Sequence, residues 1–206
     1  MALGTFAQLK TATADWLNRS DLTTVIADFI QLAEAEFNRR IRASAMIARA
    51  DATVDTQYTA LPGDFVEMKS IYLKTNPIKK LKFLSIEELK QKKSAGYTTS
   101  GTPVYFSIVG QTFECLPAPG GEFTAELVYY QKIPALSDST TTNWLLASHP
   151  DIYLHGALVQ AAPYLQDDQR IQIWSSLMEK EINQLLLLDQ RSEFTQGDVK
   201  ARVRSY

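Results

Sequence analysis

Apolar residues return at helical spacing near both ends of this chain and alternate with polar ones through its middle. In residues 4–17, Phe6, Leu9, Ala12 or Thr13, and Trp16 or Leu17 share one helical face. The break Asn18–Arg19–Ser20–Asp21 precedes a second stripe of Leu22, Val25, Ile26, Phe29, Ala33, Phe37 and Ile41. Ser20 or Asp21 is placed to cap that helix, because a short side-chain oxygen satisfies the free N–H groups of a first turn. Arg39, Arg40 and Arg42 close it, where cations suit the negative end of the helix dipole.

From about residue 45 to 134 the period changes to two. Phe123, Ala125, Leu127 and Tyr129 oppose Thr124, Glu126, Val128 and Tyr130, and Phe65–Leu73 and Val104–Val109 read as further strands. Gly110–Gln111 fits a two-residue hairpin turn with glycine leading, a position that needs positive φ. Pro62–Gly63 and Pro119–Gly120–Gly121 mark other turns. Ser85, the early acids Glu87 and Glu88 and the following lysines predict one short helix over 85–93.

Past the polar run Ser137–Asn143 the helical period resumes, with one helix over 149–164 and a longer one over 167–194. The longer one starts with Asp167 and Asp168 at the positive dipole end. Its stripe is Ile171, Trp174, Leu177 or Met178, Ile182, Leu185 and Leu188. The last twelve residues are polar, basic and interrupted by Gly197, which predicts an extended tail. The expected fold class is α+β. A helical bundle from residues 1–44 and 143–194 carries a β-rich insertion at 45–142, and the tail occupies 195–206.

Composition narrows the setting. A chain of 206 residues, 45% of them hydrophobic, suits one sizeable domain or a domain with an insertion. The single cysteine, Cys115, allows no internal disulfide and fits a reducing compartment. The first residues lack a basic region followed by an apolar core, so no secretory signal is expected. The densest apolar run, Leu185–Leu188, is far short of the ~20 residues of a spanning helix. The expectation is a soluble protein made in the cytoplasm, with no membrane partner.

Net charge is −2, without the global basicity of a nucleic-acid binder. The charge is unevenly spread, however. Lys69, Lys74, Lys79, Lys80, Lys82, Lys90, Lys92 and Lys93 face only Glu87 and Glu88 within residues 69–93, so that segment is +6 and the remainder −8. It is either a solvated hairpin and helix face or a docking surface for an acidic partner or phosphates. Tyr72 and Phe83 interleave with the lysines as stacking groups would. Lys79, Lys80, Lys82, Lys90, Lys92 and Lys93 are therefore the candidate partner or DNA patch.

Both histidines, His149 and His155, fall near Asp151. Ser148–His149–Pro150–Asp151 reads as a helix start. Serine caps, Asp151 completes a capping box, and proline is tolerated in a first turn. His155 then lies roughly 240° around the helix from His149, so the pair cannot share one ion. Zinc-binding helices place histidines four apart. Cys115 sits on a predicted strand without a basic neighbour and reads as a packed thiol. Phosphate-loop, dinucleotide, nucleophile-elbow and zinc-protease motifs are lacking. The pairs Glu34 with Glu36 and Glu87 with Glu88 read as solvated helix charges. The expectation is no enzyme, no cofactor and no metal.

The predicted 149–164 helix is apolar on more than one face, through Ile152, Leu154, Leu158, Val159 and the following Leu165. Gly156, Ala157, Ala161 and Ala162 leave room for another backbone. It is either the central helix of the monomer's bundle, the preferred reading, or a helix with one face against another subunit.

The order of these pieces resembles the head–tail adaptor (connector) proteins of tailed bacteriophages. The similarity lies in LPGDF and in the GTP–strand–hairpin–LPAP–strand run. It continues in YYQKIPALSDSTTTNWLLASHPDIYLHGAL and AAPYLQDD, so that residues 45–168 are covered closely. The resemblance implies a structural virion protein forming a ring, typically dodecameric, at the neck beneath the portal. Such rings extend the channel through which genomic DNA passes and give tail or nozzle proteins a platform. A closed ring is heterologous, each subunit presenting two different faces. C-terminal segments in the family commonly reach toward the portal, which makes Lys200, Arg202, Arg204 and Tyr206 the candidate docking residues. The alternative is a DNA-binding packaging or head-completion factor using the 69–93 lysines.

Overall fold

The computed structural model describes residues 3–96, 99–165 and 170–196. Among them the fold is mixed α+β, with six α-helices and two four-stranded sheets. The chain divides into two compact units. One comprises residues up to Ala45 and from Ile133 on, and the other Met46–Lys132.

The first unit is helical. α1 (Phe6–Leu17) is capped by Thr5, whose hydroxyl accepts from the Gln8 N–H, and ends at Asn18 in the left-handed region. α2 covers Ile26–Arg40. Ser20 and Asp21 do not cap it. Residues 21–25 form turns, with the Val25 and Ile26 N–H groups both donating to the Leu22 carbonyl. The Asp21 carboxylate instead accepts two 2.7 Å bonds from Arg19, which hold its pKa down at about 2. At the far end Arg42 donates to the carbonyls of Asn38 and Ile41, the expected use of a cation there.

The stretch predicted as one helix over 149–164 follows a separate short helix. α4 (Trp144–Ser148) is capped by Asn143, and α5 runs from Pro150 to Leu165. Ser148 is thus the last residue of α4, not the cap of α5 with Asp151. His149 between them lies outside the helical region (φ −139°, ψ 62°). A residue before proline is pushed out of the helical region, and Pro150 has no N–H to continue the ladder. α6 covers Ile171–Gln196. It therefore reaches two residues into the stretch expected to be extended. Asp167, Asp168 and the remaining tail from Gly197 lie outside the described residues.

α5 is buried along most of its length, from Ile152 to Leu158 and again at Ala161 and Ala162. α1, α2, α4 and α6 all pack on it. Gly156 permits the closest approach, because a Cβ there would meet the Phe37 ring of α2 at 2.4 Å. Ala157 and Ala161 are fully buried on the same helix.

In the second unit, one sheet has the order β1 (Ile47–Val54), β8 (Phe123–Gln131), β3 (Phe65–Leu73), β4 (Lys79–Lys80), all antiparallel. The other has the order β2 (Tyr58–Ala60), β7 (Thr112–Leu116), β6 (Tyr105–Val109), β5 (Lys82–Phe83), with β5 parallel to β6. The β6–β7 hairpin turns at Gly110, whose φ of 60° meets the expectation for glycine there. Val54, Ile71, Leu73, Phe106, Phe113, Cys115 and Leu127 belong to one apolar core built from both sheets. α3 (Ile86–Ser94) has a complete capping box between Ser85 and Glu88, and those bonds lower the Glu88 pKa.

Candidate functional site

Several titratable side chains in the helical unit serve the fold. Glu34, predicted on the surface with Glu36, is buried on α2. Its Oε1 accepts from the Leu136 N–H at 2.8 Å and from the Tyr153 hydroxyl at 3.0 Å. Burial raises its pKa despite those two bonds. The Tyr153 hydroxyl also accepts from Asn143 Nδ2 at 2.7 Å, and burial beside Glu34 pushes its pKa well up. Asn143 donates as well to the Pro134 carbonyl and accepts from the Leu146 N–H, so its amide uses both ends. One helical turn on, Asn38 Oδ1 accepts from the Ile133 N–H. Residues 133–143 are thereby pinned to α2 and α5 by side chains from both. The sequence did carry a signal for Glu34. It stands four residues after Ile30 and three before Phe37, inside the apolar stripe.

The two histidines have separate surroundings. His155 is buried, with Nδ1 2.9 Å from the Glu181 carboxylate of α6 and its ring edge-on to Trp16 at 5.8 Å. His149 lines a groove of about 290 Å³ with Trp144, Leu185 and Leu188. Asp151 is exposed in the first turn of α5. Among the described residues no three His, Cys, Asp or Glu side chains are placed to hold a metal ion. Cys115 is fully buried, and burial pushes its thiol up to about 12.

The lysine segment lies in the β unit. Lys79, Lys80 and Lys82 are exposed on β4 and β5, and Lys90 is exposed on α3. Others are engaged locally. Lys93 pairs with Glu114, Lys74 with Asp51 at 2.7 Å, and Lys92 sits over the Tyr105 ring. Lys80 lies 5.7 Å from the centroid of Tyr72. Three of the six candidates, Lys79, Lys80 and Lys82, are exposed within four residues of one another. The candidate tail residues Lys200, Arg202, Arg204 and Tyr206 lie outside the described residues.

Glu34, Asn38, Asn143 and Tyr153 together hold the chain in place. The SU10 adaptor protein family model matches residues 4–204. The chain belongs to that family. It is a phage adaptor, as its resemblance to tailed-phage head–tail adaptors implied, and its role is structural, in the virion. Comparison with curated proteins gives no match. Among the adaptor's described residues no helix is long and apolar enough to cross a membrane.

Family membership gives the pinned segment its context. Within KIPALSDSTTTNWLLASHPDIYLHGAL, the adaptor uses Leu136, Asn143 and Tyr153 in the buried network and Pro150 to separate two helices. Gly156 seats α5 against α2. The later part of the stretch that carries the resemblance closes the helical unit.

Proposed function

We propose that this adaptor forms a dodecameric ring at the neck, docks beneath the portal, extends the channel for genomic DNA and receives a tail or nozzle protein on its other side. The observation that carries this reading is the adaptor-family match across nearly the whole chain. An interior in which buried polar groups serve packing is compatible with an assembly part. In this reading a domain of helices from both chain ends carries a β-rich insertion, and Gly156, Ala157 and Ala161 belong to its packing.

Portal docking is assigned to the C-terminal residues Lys200, Arg202, Arg204 and Tyr206. Removing residues 197–206 leaves α6 intact and is expected to weaken binding to purified portal about tenfold or more, a loss of about 1.4 kcal/mol. Thermal unfolding should be unchanged. Normal portal binding by the shortened chain would rule the tail out. Native mass measurement of free and portal-bound protein tests the ring, and a bound species of any other fixed stoichiometry overturns twelve copies.

A second reading, a DNA-binding packaging or completion factor, is favoured by the exposure of Lys79, Lys80 and Lys82 on adjoining short strands. Under it, changing all three to glutamine lowers affinity for duplex DNA at low salt. It also reduces the salt slope by as much as about three phosphate contacts' worth. Absence of DNA binding by the parent protein at low salt removes this reading.

A further inference from the structure

The loop that joins β3 to β4, residues 74–78, is held at both ends. On the β3 side the Lys74 N–H donates to the Thr124 carbonyl at 2.8 Å, and Lys74 Nζ pairs with Asp51 at 2.7 Å. On the β4 side Lys79 and Lys80 pair with Leu73 and Tyr72. Leu81 follows them, only 2% exposed, and its N–H donates to the Ile71 carbonyl at 2.9 Å. Within the loop the Thr75 hydroxyl donates to the Pro77 carbonyl at 2.7 Å. A loop tied down in this way has little freedom left to lose when a partner binds it.

At its tip stands Ile78, 70% exposed and the most exposed large apolar side chain among the described residues. Asn76, Pro77, Lys79 and Lys80 around it are exposed, as is Lys82 beyond buried Leu81. A lone apolar residue on a surface is ordinary. What distinguishes Ile78 is the braced loop beneath it and the cations beside it.

Three roles compete for this tip. β4 is an edge strand, and lysines on an edge discourage pairing with other sheets. That explains the lysines but not Ile78, where a polar turn residue would serve better. Phosphate binding also uses the lysines and leaves Ile78 idle, since a branched aliphatic group has no donor for phosphate and no ring to stack on a base. Apolar wedges do enter between the base steps of bent DNA. Three neighbouring lysines in a chain of net charge −2 are, however, a small footprint for a duplex. An apolar hollow rimmed by carboxylates uses every group at once, in the arrangement of apolar centre and polar rim common to protein interfaces.

We propose that the β3–β4 tip is a docking knob, in which Ile78 enters an apolar hollow on another protein of the virion and Lys79, Lys80 and Lys82 meet aspartates or glutamates at its rim. The isoleucine, once enclosed, carries most of the affinity. The lysines speed the approach and fix the orientation. The inference rests on the adaptor's place in the virion and is independent of the copy number of the ring and of the C-terminal residues.

The test places a photoreactive apolar side chain at the tip, Ile78→p-benzoylphenylalanine, in the full chain as assembled into particles. Irradiation should give one adduct, with a single other virion protein, at a peptide where Asp or Glu lies close to apolar residues. That protein, purified, is then titrated with the adaptor. Ile78→Asp should weaken binding about tenfold or more, and Ile78→Leu about twofold or less. Neither should move the melting temperature, because the side chain is exposed. Changing Lys79, Lys80 and Lys82 together to glutamine should weaken binding at low salt and flatten its salt dependence. Adducts with DNA alone, adducts with another copy of this chain, no adduct at all, or full binding by Ile78→Asp would each overturn the proposal. Failure of the virion role itself is seen separately, as absence of the parent chain from purified particles.

Discussion

Replacing Gly156 with leucine is expected to destabilise the helical unit by about 3 kcal/mol, the upper part of the range for overpacked cores. A Cβ at this position would lie 2.4 Å from Phe37 Cζ and 3.3 Å from Ala33 Cβ, both on α2. The Phe37 ring is fully buried and stands edge-on to Tyr153 at 5.2 Å. Tyr153 is in turn held at its hydroxyl by Glu34 and Asn143, so the ring has little room to retreat. Glycine within a helix ordinarily costs about 1 kcal/mol relative to alanine. Gly156→Ala would therefore stabilise an open helix, yet here it should destabilise by roughly 1 kcal/mol, since overpacking exceeds the propensity gain. Combining it with Phe37→Leu should recover part of the loss, as expected of residues in contact. Chemical denaturation of the three variants checks this, and a Gly156→Ala protein more stable than the parent would disprove the close approach.

Glu34→Ala should cost about 3 kcal/mol, because it leaves the Leu136 N–H and the Tyr153 hydroxyl buried without an acceptor. Glu34→Gln should cost less than about 1 kcal/mol. Both donors converge on Oε1, which a glutamine carbonyl can replace, and the buried charge is removed. The pair also separates by pH. Burial raises the Glu34 pKa in the folded state, so the fold binds that proton more tightly than the unfolded chain does. Its contribution is fully present below the unfolded value of about 4.3 and is lost as pH rises through the higher folded value. The stability difference between parent and Glu34→Gln should accordingly shift in the parent's favour on mild acidification. A difference that stays flat with pH would mean that Glu34 is not the buried, shifted carboxylate.

Several elements were legible because local chemistry and tertiary packing agree on them. The alternation of β8, the glycine-led turn at Gly110 and the Ser85–Glu88 cap each specify a conformation within a few residues. β1 was harder to read. Its inward residues Ala48, Ala50 and Ala52 pack against the core but are too small to give a strong apolar alternation. Leu22 shared the spacing of the α2 stripe and is buried as that spacing implies. A tight turn, however, delivers a residue to the core about as well as a helix does, so periodicity alone could not distinguish them.

The candidate chemistry dissolved for a related reason. His149, Asp151 and His155 are near in sequence, but a proline break and a helix rotation send them to different surroundings. Glu34 was missed in the opposite sense. A carboxylate was read as a surface group because its hydrogen-bond partners lie 102 and 119 residues away, although its place inside the apolar stripe of α2 marked it as buried.

The buried cysteine has a practical consequence. Cys115 is the chain's one thiol, fully enclosed and with its pKa pushed up to about 12, so almost none of it is thiolate at neutral pH. A cysteine introduced at any exposed position therefore becomes the single site for maleimide dyes, spin labels or crosslinkers, with no native residue to remove first. Pairs of such substitutions, oxidised in assembled particles, would map neighbour contacts residue by residue.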